Sequence, residues 1–454
     1  MGARARRRVK QQEPLVLDIS KLSHEGRGIA HHAGKVVFVD GALPGEQVLA
    51  RITNTRGSYA EATTLEVRTA SPERVTPLCR YFGVCGGCSL QHLDSKAQLA
   101  FKSAVLHERL EHVINAGSYR QLPVISGDVL GYRRKARLAV RWVGKKGKAL
   151  VGFKEQQSGF ITDMDECPVL APRVGSLIAG LSELISKLDC KDQLPQVEVA
   201  VGDGTADVIG GDCALVFRHL QSLSDADHEL LRSFGATHHI DIYLQPKGPD
   251  SVHKIFPASG PDRLYYDLPD FGLHMAFHPQ DFTQVNAGIN RQMLLRALQL
   301  LDLQAGDRVL DLFCGLGNFT LPMARTARAV VGVEGSEQMV KRGRENALAN
   351  NLDNVEFHVA DLTQPADQHP FLREKFDKVL LDPPRSGAQE VLAALAALKP
   401  SRIVYVSCNP ATLARDAGLL AELGYRLEAA GAMDMFPHTS HVEAIAVFTP
   451  GRSR

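Results

Sequence analysis

This chain offers little that points to a membrane or an export route. Its 454 residues hold no uninterrupted apolar stretch long enough to span a bilayer, and no secretory hydrophobic region follows the basic start. No internal repeat is visible, which argues against a solenoid or propeller. An excess of one charge is also missing: the net charge is +1, so the chain as a whole is not a general polyanion binder and the distribution of charge matters more than its sum. The expectation is a cytoplasmic, soluble protein without membrane contact, its eight cysteines reduced or metal-bound. A chain of this length has room for about three domains.

With so few cysteines, each can be weighed singly. Cys408 stands in Tyr405-Val-Ser-Cys408-Asn409-Pro410, where β-formers from Ile403 to Val406 meet a helix-start signal. Asn409 is a good N-cap, Pro410 is tolerated at the first helical position, and the pattern predicts a helix over Ala411 to Leu423. A thiol there faces the unpaired N–H groups and positive dipole end of a helix. Its pKa is expected to fall from about 8.5 by a unit or more, making it a nucleophile. Taken alone, the same cysteine reads as inert packing; its wider context argues otherwise.

Upstream, Arg308-Val-Leu-Asp311-Leu-Phe313-Cys314-Gly315-Leu-Gly317-Asn318-Phe-Thr320 runs from an apolar strand through a glycine-rich turn into a helix over Leu321 to Thr326. The strand Ala329 to Val333 then ends in Glu334, 23 residues beyond Asp311. At that spacing a carboxylate receives both hydroxyls of a ribose. Glycines alone would imply only a turn. Strand, turn, helix, strand and acid in order predict an α/β, Rossmann-like domain with a nucleotide or S-adenosylmethionine site. Val355 to Val359 leads to Asp361, which reads either as a partner for an adenine amine or as a solvated turn residue. The strand from Lys378 ends in Asp382-Pro383-Pro384-Arg385, a rigid turn at the carboxyl edge of the sheet, where ligands of open α/β folds bind. Tyr425 to Ala430 and Ala444 to Phe448 are the last strands, joined by a loop too short for a parallel crossover. The final strand is therefore expected to run antiparallel, bringing Glu443 at its start to the crevice of Glu334, Asp361, Asp382 and Cys408; taken by position alone, it would be a surface glutamate. A helix over Ile289 to Leu301 should cover the sheet.

Cys79, Cys85 and Cys88 fall close together around Gly86 and Gly87, and Cys167 follows beside Pro168. Four thiolates suit an iron-sulfur cluster, with zinc as the competing metal and unliganded packing as the bland reading. Nothing matches the Cys-x3-Cys-x2-Cys pattern of radical S-adenosylmethionine enzymes, so such a centre would be structural or RNA-positioning. Cys190, Cys213 and Cys314 have no partner pattern and read as packing residues. Positive charge gathers in a basic arm, Arg4 to Lys10, and in a ribbon from Arg133, Arg134, Lys135 and Arg137 through Arg141, Lys145, Lys146 and Lys148, expected to be a hairpin turning at Gly144 to Gly147. Such a ribbon suits phosphates, although charge runs are as often solvated faces. Leu15 to Val67 alternates short strands with glycine turns and predicts a small OB-like barrel of five strands.

Asp311-Leu-Phe-Cys-Gly-Leu-Gly-Asn-Phe-Thr, Leu381-Asp-Pro-Pro-Arg, Ser407-Cys-Asn-Pro-Ala-Thr-Leu-Ala-Arg-Asp416 and His441-Val-Glu443 together resemble the four signature segments of the RNA 5-methyluridine methyltransferases. Phe282-Thr-Gln284-Val-Asn286 matches that family's entrance to the catalytic domain, and the barrel resembles a TRAM domain. The resemblance covers most of the chain. It implies that Cys408 attacks C6 of a uracil, that Glu443 removes the C5 proton, and that Gln284, Phe313, Asn318, Glu334, Asp361 and Asp382 contact S-adenosyl-L-methionine, the methyl donor. Asp361 is the weakest of these assignments, because an amide would serve adenine equally well. The resemblance favours a 4Fe-4S cluster on Cys79, Cys85, Cys88 and Cys167. Barrel and cysteines together are most similar to members acting on 23S ribosomal RNA, with no obligate protein partner. A transfer-RNA uridine methyltransferase is the nearest alternative, and a non-catalytic iron-sulfur RNA-binding protein is the alternative from another class. A DNA cytosine methylase fits less well, because the order of thiol and base matches the uridine family. The expected domains are a TRAM barrel over 12–70, a central β-rich iron-sulfur domain over 71–270 and a methyltransferase domain over 271–450; whether the amphipathic segment Ser95 to Ala116 stays with the central domain or packs elsewhere is left open by the sequence.

Overall fold

The computed structural model describes residues 13–204, 212–364 and 369–451; the basic arm Arg4 to Lys10 lies outside them. The chain divides into two compact units, one running to Lys102 and including His438–His441, the other comprising Ser103–Pro437 and the chain from Val442 onward.

In the first unit, strands Leu15–Asp18, Lys21–Leu22, Gly28–His32, Lys35–Asp40, Gln47–Thr55 and Tyr59–Thr69 form one six-stranded sheet. The two-residue strand Lys21–Leu22 is one more than the sequence pattern anticipates. Alternation sends Leu17, Val37, Val39, Val48, Ala50 and Ala62 to a common apolar core, and their polar neighbours outward.

The second unit holds two large sheets. One has the strand order His253–Phe256, Asp241–Gln245, Cys213–Arg218, Gln196–Val201, Lys135–Val143, Lys148–Gly152. Its last two strands are the antiparallel hairpin anticipated around Gly144. The other sheet carries the candidate site. Its strands are β1 (Arg308–Leu312), β2 (Ala329–Glu334), β3 (Val355–Val359), β4 (Lys378–Leu381), β5 (Arg402–Ser407), β6 (Tyr425–Met433) and β7 (Glu443–Pro450). Their order is β3-β2-β1-β4-β5-β7-β6, with Arg120–Gln121 outermost beside β6. β1 to β5 are parallel, and β7 runs antiparallel to both neighbours.

Both faces of this sheet are covered, so its central strands read as continuous apolar runs rather than alternating ones. Val309, Leu380, Val404 and Val447 pack on one face with Ile289, Met293 and Ala297 of the helix Ala287–Leu301. Leu310, Leu381, Tyr405 and Phe448 pack on the other with Leu392 and Leu413. Leu106, Leu110 and Tyr119 join that second face, and Ile125 bridges to Met433. Residues 103–125, inside the span 71–270 but including part of the segment whose place the sequence leaves open, thus pack with this sheet. Strand order reverses between β1 and β4, which opens the crevice at their carboxyl ends.

Candidate functional site

The turn leaving β1 is tight. Phe313 adopts φ 64°, and Gly315 and Gly317 follow at 57° and 96°. A non-glycine residue in the left-handed region costs free energy that surrounding structure must offset, a feature concentrated at binding sites. At its positive φ a side chain on Gly317 would be strained, and its Cβ would press on Leu321 of the next helix and on Phe357. Asn318 is held from two sides: its amide exchanges hydrogen bonds with the Asn290 amide (2.9 and 3.1 Å), and it accepts one from the Tyr266 hydroxyl at 3.1 Å. At the end of β2, Glu334 accepts from the backbone N–H of Gly315 (3.2 Å) and of Ser336 (3.0 Å). Beneath them the buried carboxylate of Asp311 accepts from the Thr320 hydroxyl at 2.5 Å. Burial, with Asp382 and Glu334 nearby, raises the Asp311 carboxyl to about 8.

Gln284 lies on a loop pinned from both sides. Lys135 of the other sheet donates to the carbonyls of Pro279 and, at 3.0 Å, Asp281, while Arg342 from the helix Glu337–Ala349 pairs with the Asp281 side chain. Burial lowers Lys135 to about 8.

Cys408 follows β5 where the sequence places it. Asn409 caps the helix Pro410–Glu422 by accepting from Ala411 N–H at 3.1 Å, and Pro410 occupies the first turn. The turn carrying Asp382 is fastened to this same junction. Asn409 Nδ2 donates to the Arg385 carbonyl (3.1 Å), Arg415 donates to the Ser386 carbonyl (2.8 Å), and the buried Asp416 carboxylate accepts from Ala388 N–H (2.8 Å) and the Tyr405 hydroxyl (2.6 Å). Gly387, at φ 86°, leaves no room for a Cβ against Arg415 and Asp416.

The electrostatics of Cys408 correct the sequence expectation. Its thiol is pushed up to about 11, first by burial and then by the carboxylates of Glu443 and Asp382; Arg385 and a backbone hydrogen bond pull the other way. Burial, reinforced by two converging carboxylates, outweighs the helix terminus, whose Ala411 N–H is already taken by Asn409. Asp382 is itself raised to about 7 by burial.

Gln284, Phe313, Asn318, Glu334, Asp382, Cys408 and Glu443 all line one cavity of about 1240 Å³. Asp361 is not among the lining residues. It is exposed, and its carboxylate is engaged by Thr363 (2.7 and 3.0 Å) and Gln364 (3.1 Å), which hold it below the usual carboxylate range. Tyr266 and Arg385 also line the cavity. Neither was singled out as a site residue from sequence; Tyr266 is 52 residues from the Asn318 it holds, and no local pattern announces such a contact.

Arg137, Glu198, Arg218 and Gln245 line the same cavity from adjacent strands of the other sheet. The rest of the basic ribbon is largely spoken for. Arg134 pairs with Asp203, Lys146 and Lys148 pair with Asp163 at 2.6 and 2.7 Å, and Lys135 is bound to backbone as above. Cys190 and Cys213 are buried with thiols pushed up to about 12, as suits packing residues.

In the first unit, Cys79, Cys85 and Cys88 lie along an irregular segment of bends and turns, and Gly87 N–H donates to Cys85 Sγ at 3.4 Å. In the second, Cys167 is buried and its N–H donates to the Gly175 carbonyl at 2.9 Å. Among the described residues, no group of three or more His, Cys, Asp or Glu side chains is assembled to hold a metal ion. Nor is any helix among them long and apolar enough to cross a membrane.

Comparison with known proteins places these observations in a family. The family model described as tRNA (Uracil-5-)-methyltransferase matches residues 265–449, and that of the TRAM domain matches residues 8–65. A protein of Hahella chejuensis is 52% identical over 448 residues, covering 98% of this chain and 99% of its own length. One of Alkalilimnicola ehrlichii is 55% identical over 449 residues, covering 99% of each. Both bear the name 23S rRNA (uracil(1939)-C(5))-methyltransferase RlmD. Among solved structures, the Pyrococcus abyssi tRNA (uracil-54, C5)-methyltransferase in complex with S-adenosyl-L-homocysteine is similar with a TM-score of 0.73 and 28% identity, over 96% of this chain and 99% of that one.

Proposed function

The chain belongs to the RNA 5-methyluridine methyltransferases, and we propose that it transfers a methyl group from S-adenosyl-L-methionine to C5 of one uridine in 23S ribosomal RNA, the uridine that its relatives' names number 1939. The observation that carries this reading is the single cavity on which Cys408, Glu443, Asp382 and the residues suited to the cofactor converge. The cofactor fits the residues present. Glu334 has satisfied one backbone donor on each oxygen and retains acceptor capacity for two ribose hydroxyls. Glu334, with Asp382 and Glu443, sets carboxyl groups around the cavity that suit a sulfonium and an ammonium. Gln284, Phe313 and Asn318 complete that assignment, and Asp361 joins it only from an exposed turn outside the cavity lining.

C5 of uracil is too weak a nucleophile to take a methyl group unaided. Cys408 Sγ bonds to C6 and drives the C5–C6 π electrons toward O4, making C5 nucleophilic; covalent catalysis thereby divides one difficult step into easier ones. Bound S-adenosyl-L-methionine supplies the electrophilic methyl. Glu443 then takes the proton from C5, the C5–C6 double bond re-forms, and the C6–S bond breaks with its electron pair returning to Sγ. Because a stacked base hides C5 and C6, the uridine must be extruded into the cavity, at a cost of about a few kcal/mol that a looped target lowers.

For the rest of the chain we infer an RNA-binding TRAM barrel over 12–70, a central domain over 71–270 and the catalytic domain over 271–450, acting in the cytoplasm. Cys79, Cys85, Cys88 and Cys167 are read as ligands of a 4Fe-4S cluster. Support comes from the four-thiol donor set and from the Gly87 N–H directed at Cys85 Sγ, the kind of bond that tunes cluster sulfurs. Iron and zinc analysis of anaerobically purified protein tests this against the zinc alternative, with about four irons and no zinc per chain expected. The catalytic reading is tested by incubating the protein with labelled S-adenosyl-L-methionine and unmodified 23S transcript and mapping the label. Label on C5 of one uridine is expected, absent with Cys408→Ala.

A further inference from the structure

The reaction moves two protons, and only one has an acceptor so far. Glu443 must be ionised when C5 surrenders its proton, so it cannot already hold the proton of the attacking thiol. Cys408 is a protonated thiol at neutral pH, and the groups bearing on it are Glu443 at the start of β7, Asp382 at the end of β4 and Arg385 three residues further along the same turn. All three line the cavity with Cys408. Arg385 is a cation and accepts nothing. Asp382 is the remaining acceptor.

We propose that Asp382 is a second catalytic carboxylate, which takes the Cys408 proton as Sγ bonds to C6 and returns it when the C6–S bond breaks. Atoms and electrons balance. The S–H bond breaks toward an Asp382 oxygen and its electron pair forms S–C6. After methyl transfer Glu443 takes the C5 proton, and the pair left by C6–S cleavage recovers the proton from Asp382. Thiol and Asp382 end as they began, and the one proton released to solvent is the one from C5, by way of Glu443.

The fold supports this assignment at three points. The Asp382 turn is fastened to the nucleophile's own helix by Asn409, Arg415 and Asp416, so carboxylate and thiol are held by one framework. The Asp382 N–H is tied to the Leu312 carbonyl at 3.3 Å, fixing the strand end. Its carboxyl, raised to about 7 with Asp311 close by, is poised to gain and lose a proton near neutrality. Arg385 opposes the two carboxylates and favours the transient thiolate.

The role rests on the uridine methyltransferase reading above, and the test separates the two. In a Glu443→Gln background elimination is blocked, so the covalent adduct between Cys408 and a 23S transcript accumulates and its rate of formation can be followed from pH 5.5 to 9.5. Glu443→Gln should show a rate rising with a midpoint near 7. Adding Asp382→Asn should remove that midpoint and slow adduct formation at pH 7 by about 100-fold or more, the ordinary range for a lost general base. Retention of the midpoint in the double variant, whatever its rate, overturns the proposal and leaves Asp382 a positioning residue. Absence of the midpoint already in Glu443→Gln overturns it in favour of Glu443 as the acceptor. Failure of Glu443→Gln to form any Cys408-dependent adduct overturns the underlying reading itself.

Discussion

Cys408 shows how far a single residue can be read from its neighbours. Its place at a strand end, before an Asn cap and a helical Pro, is as the sequence suggests, yet its acidity has the opposite sign. The cap and the dipole are local and legible. Burial, the largest influence, and the two carboxylates from β4 and β7 act on the thiol only once those strands are side by side. Alkylation of Cys408 by iodoacetamide, followed residue by residue by mass spectrometry, should therefore be slow at pH 7.5 and climb toward a midpoint near 11; a midpoint below 8.5 would restore the dipole-activated thiol. Asp311 makes a second prediction. Its folded-state pKa of about 8 exceeds the ordinary value of about 3.9, so the folded protein holds a proton there that the unfolded chain releases. Stability must fall as pH rises from about 4 to 8 and level off above. Asp311→Asn should thus raise the melting temperature of the cofactor-free protein at pH 8.5, with the gain vanishing toward pH 4. Asp361 illustrates the reverse of Cys408: its position after a strand is readable from sequence, but the Thr363 and Gln364 bonds that turn it to the surface are not.

Among the elements, those buried on both faces were the most legible. β2 and β5 fall within one residue of their sequence expectations, because unbroken apolar runs bounded by turn residues carry a strong signal; β3, at the sheet edge, is matched through its alternation instead. The antiparallel direction of β7 followed from the length of one loop. What escaped notice was pairing at long range: Arg120–Gln121 joins β6 across some three hundred residues of chain, and two residues carry no period. The basic hairpin is legible as an element, but the pairing of Arg134, Lys146 and Lys148 is not, since Asp163 and Asp203 lie outside it in sequence. The junction of β5 and its helix offers an element-scale test. Asn409→Ala removes both the cap and the tether to the Arg385 carbonyl. It should cost about 1 kcal/mol of stability in urea denaturation and lower kcat more than it raises the KM for S-adenosyl-L-methionine. Unchanged kcat would mean that the tether does not hold the catalytic turn.

At the scale of the whole molecule, a near-zero net charge is reconciled with a polyanionic substrate by placement. Arg218 and Arg385 are set around one cavity beside Arg137 and Arg263, which pair there with Glu198 and Asp262, while many other cations are consumed in pairs elsewhere. Affinity for RNA should then depend on a few arginines. Arg218→Ala, exposed on its strand, should weaken 23S binding and reduce its salt dependence by about one unit of slope, without changing the melting temperature; an unaltered slope would remove that arginine from the interface. The choice of RNA is the central claim, and the most direct measurement sets 23S and transfer RNA transcripts against each other with labelled S-adenosyl-L-methionine, wild type beside Cys408→Ala. The account predicts label on C5 of a single 23S uridine, none on transfer RNA and none with the variant. Label confined to transfer RNA, or label that persists without Cys408, would contradict it.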